Sequence, residues 1–378
     1  MDKPVYLDHN ASTPVLPEVR EAMLPYMGEH FGNPSSSHPY GRQCRQAVDR
    51  ARQNVASLLG CSDDEIIFTS GGTESDNLAI NGVVRALPQK RHLVTCRVEH
   101  PAVVQPCRSL EKQGLDVDWA EVDETGTVNV DEIESALRDD TLLVTIMHAN
   151  NETGTIMPIA RIAEAVHSAG SLLHTDAAQS VGKIPTLVND MGVDLLTVAG
   201  HKFYAPMGIG ALYVRRGTPL RPFMLGAGHE SGLRPGTENV AGIVGLGEAC
   251  LLARESLDRE SGRQRLLRDE LWGILKDGVP GIRLNGHPEQ RLPNTLNISF
   301  PGVLGSAVLA GAQDVAASTG SACHEGEEES PSEVLSAMGL ERTVALGAVR
   351  LSLGRLTTGE QIYRAAQSLI RAWQEAIA

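Results

Sequence analysis

Between residues 40 and 245, short runs of β-branched and aliphatic residues alternate with amphipathic stretches, and no other feature narrows the fold so far. A strand buried on both faces reads as a continuous apolar run, whereas the helix that crosses over it has one apolar stripe. The alternation therefore predicts βα units closing a mostly parallel sheet. Over 42–59, Ala47, Val48, Ala51, Val55, Leu58 and Leu59 fall at helical spacing, and Gly60 stands where a left-handed residue stops a helix. Strands are expected at 65–69, 92–96, 142–149, 171–177, 194–200 and 210–216, with helices at 101–114, 131–138 and 159–169 between several of them. After a Gly-rich segment at 225–242, a charged helical pattern over 238–275 leads to strands at 294–300 and 348–353 and a closing helix at 359–376. The expected fold class is α/β: a large domain over 16–245, a smaller α+β domain over 246–378, and the segment 1–15 joining them.

Composition removes several function classes. With 42% hydrophobic and 21% charged residues, the 378-residue chain is neither disordered nor fibrous. A formal net charge of -14 opposes a phosphate backbone or an anionic lipid surface, so neither nucleic acid nor membrane is an expected partner. No apolar run reaches the roughly 18 residues of a spanning helix, and MDKPVYLDHN has neither a basic nor an apolar leader region, so the expected location is cytoplasmic. Cys44, Cys61, Cys96, Cys107, Cys250 and Cys323 are scattered, with no C-x-x-C, and no metal site is expected.

Four features carry chemistry, each with a plain structural alternative. His201 and Lys202 follow an apolar strand directly, at the end where α/β sheets bind ligands. A partly desolvated lysine there forms a Schiff base with an aldehyde cofactor, while most lysines are solvated surface charges. Asp176 closes another strand, three residues before Gln179. A carboxylate so placed keeps a pyridine nitrogen protonated and makes the ring an electron sink, or simply caps the next turn. Ser70, Gly71, Gly72 and Thr73 join a strand to a helix, where small residues and backbone N–H groups admit a phosphate or merely cap the helix. His100 follows the strand at 92–96, suited to lie on a cofactor ring or to be a packed capping histidine.

Taken together, the segments YLDHNASTP, GNPSSSH, FTSGGTESDN, VEHPAV, ANNETGTIMPI, HTDAAQSVGK, GHKFYAP, RPGTEN, RLPNTLNISF, STGSACH and VRLSLGR resemble, in this order, the pyridoxal-phosphate-dependent cysteine desulfurases of class V aminotransferase type and their selenocysteine lyase relatives. The resemblance runs along nearly the whole chain. It implies fold type I of the pyridoxal-phosphate enzymes and pyridoxal 5'-phosphate as cofactor. It makes Lys202 the Schiff-base lysine, Asp176 the partner of the pyridine nitrogen and His100 the stacking residue. Gln179 and Asn151 are implied at the ring hydroxyl and the substrate side. Gly72, Thr73 and His201 are implied phosphate ligands, together with Thr237 from the neighbouring subunit of a homodimer. Arg350 is implied as the clamp of the substrate carboxylate, a task for a planar bidentate donor, and surface ion pairing is its plain alternative.

Cys323, in the small and polar STGSACHEGEEES, is implied as the thiolate that takes sulfur from L-cysteine, leaving L-alanine and a persulfide for an acceptor protein in sulfur metabolism and iron–sulfur cluster biogenesis. The alternative for a free cysteine is burial as a small hydrophobe. Two departures stand out. Ala199 replaces a serine common in the family, which removes one phosphate hydroxyl, and His324 with its acidic run looks more like selenocysteine lyase, which would release selenide from L-selenocysteine. A plain aminotransferase and a non-catalytic sulfur-carrier scaffold are the remaining rivals. Neither has a use for Lys202, Asp176, His100 and Cys323 together.

Overall fold

The computed structural model describes residues 3–319 and 330–378. Twelve strands are found among these residues: Val5–Tyr6 (β1), Ile66–Thr69 (β2), His92–Cys96 (β3), Asp116–Ala120 (β4), Thr141–Thr145 (β5), Leu172–Asp176 (β6), Leu195–Ala199 (β7), Gly210–Val214 (β8), Arg283–Asn285 (β9), Thr295–Ser299 (β10), Val315–Ala316 (β11) and Ala348–Ser352 (β12). The central sheet has the order β2-β8-β7-β6-β5-β3-β4. Its strands β7, β6, β5, β3 and β4 pair in parallel, while β8 is antiparallel to both β7 and β2. The mostly parallel α/β sheet expected from the alternation is therefore present, with one reversed strand.

Side chains sort to the two faces with the period of two that a pleated strand imposes. Ile66, Phe68, Val94, Cys96, Val144, Leu173, Leu196 and Val198 enter one core, and Ile67, Leu93, Leu143, Leu195 and Leu212 enter the other. The predicted helices form at Pro39–Leu59, Pro101–Lys112, Val130–Ala136 and Ile159–Ser168, and Gly60 caps the first with φ 69°. Gly210 is required by close approach: a Cβ there would lie 2.5 Å from the Val198 carbonyl oxygen and 2.7 Å from Gly71 Cα. That contact seats the start of β8 tightly between the mouths of β2 and β7.

A separate core forms around the sheet β12-β10-β9, from Leu296, Ile298, Phe300, Val349 and Leu351 with Ile362, Leu369 and Trp373 of the closing helix Gly359–Ile377. The helix Val240–Gly278 starts among first-core residues such as Leu246 and Cys250 and ends with Leu271 and Leu275 in this one. The N-terminal segment also links the two. Val5 and Leu7 are buried in the smaller core, β1 pairs with β11, and the Thr13 amide then donates to the His201 carbonyl at 2.9 Å.

Four strands fall outside the sequence expectation. β4 (DVDWA) lies at the sheet edge, where Asp116 is exposed, so its pattern is half polar, while β1 and β11 have two residues each and β9 has three.

Leu271 is fully buried where the long helix meets the smaller core. Leu271→Ala is expected to cost about 2–5 kcal/mol in urea unfolding, from lost transfer energy and the cavity left behind.

Candidate active site

The C-terminal ends of the parallel strands converge on one cavity of about 300 Å³. Its walls include Gly72, Thr73, His100, Asn151, Asp176, Gln179, His201, Lys202 and Arg350, so nine sequence-predicted residues meet in one place. Thr237 is exposed and does not line this cavity. Cys323 and His324 lie outside the described residues.

Lys202 ends the tight turn Gly200–Lys202 that follows β7 directly. Its Nζ donates to the carbonyl oxygens of Asn10 at 2.8 Å and Ala11 at 2.9 Å. Burial and the nearby Arg350 push its pKa down to about 8, with Asp176 and Asp8 acting in the opposite sense. The amine is thus much closer to its nucleophilic form at neutral pH than a surface lysine is. Asp176, the last residue of β6, accepts from the Ala178 amide at 2.8 Å. Burial raises its pKa, while that hydrogen bond, His100 and Lys202 favour the carboxylate.

His100 caps the helix Pro101–Lys112, its Nδ1 accepting from the Ala102 amide at 3.1 Å, which leaves Nε2 to carry the proton of the neutral ring. Burial lowers its pKa. His201 is held neutral as well, pushed down to about 4 by burial and by Lys202. Gly72 and Thr73 open the fifteen-residue helix Gly72–Ala86, whose first N–H groups have no partner within the helix. A Cβ on Gly72 would approach the Ala199 Cβ to 3.3 Å, so the helix start lies tight against β7.

On β12, Arg350 pairs with Asp8 at 2.8 Å and donates to the Asn151 carbonyl at 3.1 Å. Its side chain is 8% exposed, so the surface-pair alternative does not hold, and Nε is buried with no hydrogen-bond partner.

Four further residues at the site lie inside the motifs given above without being singled out by them. Asp76 follows Thr73 by three positions, which turns both to one side of the helix, and it lines the cavity fully buried. Burial and the adjacent Asp176 raise its pKa well above the usual carboxylate range, and its Oδ1 has no hydrogen-bond partner. Glu99, pushed up to about 8 by burial, accepts from the Met147 amide at 2.6 Å. His174 sits between Thr145 (2.8 Å) and Thr197 (3.1 Å), and burial pushes it down to about 3. Asn10 is the fourth; its carbonyl also accepts from Gln179 Nε2 at 3.0 Å.

An amine that is half neutral near pH 8, a buried carboxylate, an imidazole and a helix start with free N–H groups form a donor set for an aldehyde on a cationic ring bearing an anionic arm. Among the described residues, no group of His, Cys, Asp and Glu is arranged to hold a metal ion.

The family model for aminotransferase class-V matches residues 5–364. The chain belongs to the class V aminotransferase family. Within it, the chain is 49% identical over 362 residues to the cysteine desulfurase of Trichormus azollae, covering 95% of this chain and 90% of that protein. It is 47% identical over 368 residues to cysteine desulfurase IscS of Edwardsiella ictaluri, covering 96% and 91%. Among solved structures, a NifS-like protein superimposes with a TM-score of 0.91 at 37% identity over 97% of this chain and 98% of that one. SspA in complex with cysteine gives 0.82 at 37% identity over 92% and 98%. Class V enzymes of this kind depend on pyridoxal phosphate, and the large sheet with its smaller α+β partner is their fold type I.

With its pKa at about 8, Lys202 is the unprotonated nucleophile above that pH and an ammonium below it. The rate at which cofactor-free protein takes up pyridoxal phosphate is therefore expected to fall about tenfold per pH unit below the midpoint and to level off above it. Stopped-flow absorbance measures this, and a midpoint near the ordinary lysine value of 10.5 would contradict the environment described.

Proposed function

We propose that this chain is a pyridoxal-phosphate-dependent cysteine desulfurase, which cleaves the C–S bond of L-cysteine, releases L-alanine and retains the sulfur as a persulfide on Cys323. The observation that carries the reading is the meeting of Lys202, its pKa brought down to about 8, with buried Asp176 in one cavity, in a chain whose class V relatives are named cysteine desulfurases.

When bound, pyridoxal phosphate supplies an aldehyde for imine formation and a ring that takes up the electron pair left by a broken Cα bond. Lys202 would hold the group through its aldehyde carbon and would give way to the substrate amine. Its freed Nζ then takes the Cα proton and returns one, a role that its lowered pKa allows near neutral pH. Asp176, as a carboxylate, would keep a proton on the pyridine nitrogen. His100 would hold the ring and Gln179 its hydroxyl, with Asn151 on the substrate side. Gly72, Thr73 and His201 would hold the phosphate. Ala199 supplies no hydroxyl there.

The guanidinium of Arg350 receives the substrate carboxylate through Nε and shares its charge with Asp8. In the sulfur step, the Cys323 thiolate attacks the substrate sulfur; an S–S bond forms, the C–S bond breaks, and the carbon fragment takes up protons to leave as alanine. The persulfide is then passed to an acceptor, and the chemistry fits the supply of sulfur for iron–sulfur cluster assembly.

Two further parts belong to the same reading. The protein acts as a homodimer in which the partner subunit's Thr237 completes the phosphate site, and its exposure away from its own cavity supports this. Its proposed location is the cytoplasm; no helix among the described residues is long and apolar enough to cross a membrane.

Alanine release from L-cysteine, with mass analysis of the Cys323 peptide, tests the activity. Lys202→Ala is expected to give no measurable alanine. Cys323→Ala is expected to lose L-cysteine turnover and the added sulfur while keeping the visible absorbance of the bound cofactor. Persistence of desulfuration in Lys202→Ala would refute the assignment.

A further inference from the structure

Lys183 has no part in the chemistry above, yet it is buried against the residues that perform it. It stands four positions after Gln179, is 8% exposed, and its Nζ donates to Gln179 Oε1 at 2.9 Å and to Asn10 Oδ1 at 3.3 Å. The charged groups that act on it most are the cations Lys202 and Arg350, and its own charge bears on His9 and His201. No carboxylate among these groups balances an ammonium.

The donor count agrees with that setting. A neutral amine carries two N–H groups, and Lys183 has two oxygen acceptors, whereas an ammonium would bring a third N–H with no protein acceptor. The consequence falls on Gln179. Its oxygen is committed to Lys183, and its nitrogen donates to the Asn10 carbonyl at 3.0 Å. One amide N–H is left for the cavity that Gln179 lines.

We propose that Lys183 is a positioning residue, held as a neutral amine, which orients the Gln179 carboxamide so that an N–H rather than the carbonyl oxygen faces the ring oxygen of the cofactor. The proposal rests on the reading of the cavity as a pyridoxal phosphate site. It assigns Lys183 two effects: Gln179 becomes a fixed donor to an oxygen anion, and Lys202 is spared a second positive charge close by. Asn10 links both effects, because the carbonyl that accepts from Gln179 also accepts from Lys202 at 2.8 Å.

The test is a double-mutant cycle with Lys183→Met and Gln179→Leu, read by the pyridoxal phosphate dissociation constant and by the pH midpoint of the visible band of the loaded protein. Lys183→Met alone is expected to weaken cofactor binding about tenfold, the worth of one buried charge-assisted hydrogen bond, and to shift the midpoint. Added to Gln179→Leu, it is expected to change either quantity less than about twofold. Additive effects, or a Lys183→Met protein identical to wild type, would overturn the proposal.

A second measurement holds even if these variants do not fold. The chain has six lysines, and in cofactor-free wild type labelled with ¹⁵N at Nζ, one signal is expected in the neutral-amine region at pH 7. Six ammonium signals would also overturn it. A wild type with no visible cofactor band would instead refute the reading of the cavity, and the nitrogen spectrum would still decide the charge of Lys183.

Discussion

The backbone carbonyl of Asn10 accepts hydrogen bonds from Lys202 Nζ and Gln179 Nε2, and the geometry of the cavity follows from this shared acceptor. Asn10 is itself fully engaged. Its amide donates to Ser352 Oγ at 2.9 Å, its Oδ1 accepts from Asn294 and Lys183, and its Nδ2 donates to Thr295 Oγ1 and the Asn151 carbonyl. A residue so completely paired and 1% exposed has no cheap alternative position. It fixes the reactive lysine relative to β10 and β12 of the smaller core as well as to β7 of the larger one. The N-terminal segment therefore acts as a strap across the two cores, pinned at Val5 and Leu7 on one side and at Thr13 on the other.

The charges around the cavity divide into a basic rim and an acidic floor. Arg350 lowers the pKa of Lys202, and both lower that of Lys183, while Asp176 raises those of Asp76 and Glu99. Buried carboxyls that cannot all ionise cheaply leave Asp176, which has a backbone donor and is favoured as a carboxylate by both His100 and Lys202, as the acid most readily charged. A cofactor with a cationic ring nitrogen and an anionic phosphate answers both halves. In the proposed mode the nitrogen would meet the floor, and the phosphate would lie where the helix start at Gly72 offers unpaired N–H groups.

Much of this was legible in the sequence, for reasons that can be named. Strands buried on both faces write themselves as apolar runs, so β3, β5, β6, β7 and β8 were readable, and residues at their ends were readable as site candidates. The edge strand β4 was not, because Asp116 and Asp118 interrupt its pattern where solvent or His92 receives them. Asp76 carried a usable signal in its helical spacing from Thr73. Lys183 carried none, since nothing in QSVGK distinguishes a buried neutral amine from a surface ammonium. Asn10 and the Asp8 side chain are distant in sequence from the cavity residues they hold, and such contacts exist only once both cores have formed.

The central claim is that one amine at the mouth of β7 bonds the aldehyde coenzyme. Borohydride reduction of the protein loaded with pyridoxal phosphate, followed by proteolysis and peptide mapping, tests it most directly. The account predicts a stable pyridoxyl adduct on the peptide that carries Lys202. An adduct on Lys183 or another lysine, or no adduct at all, would contradict it.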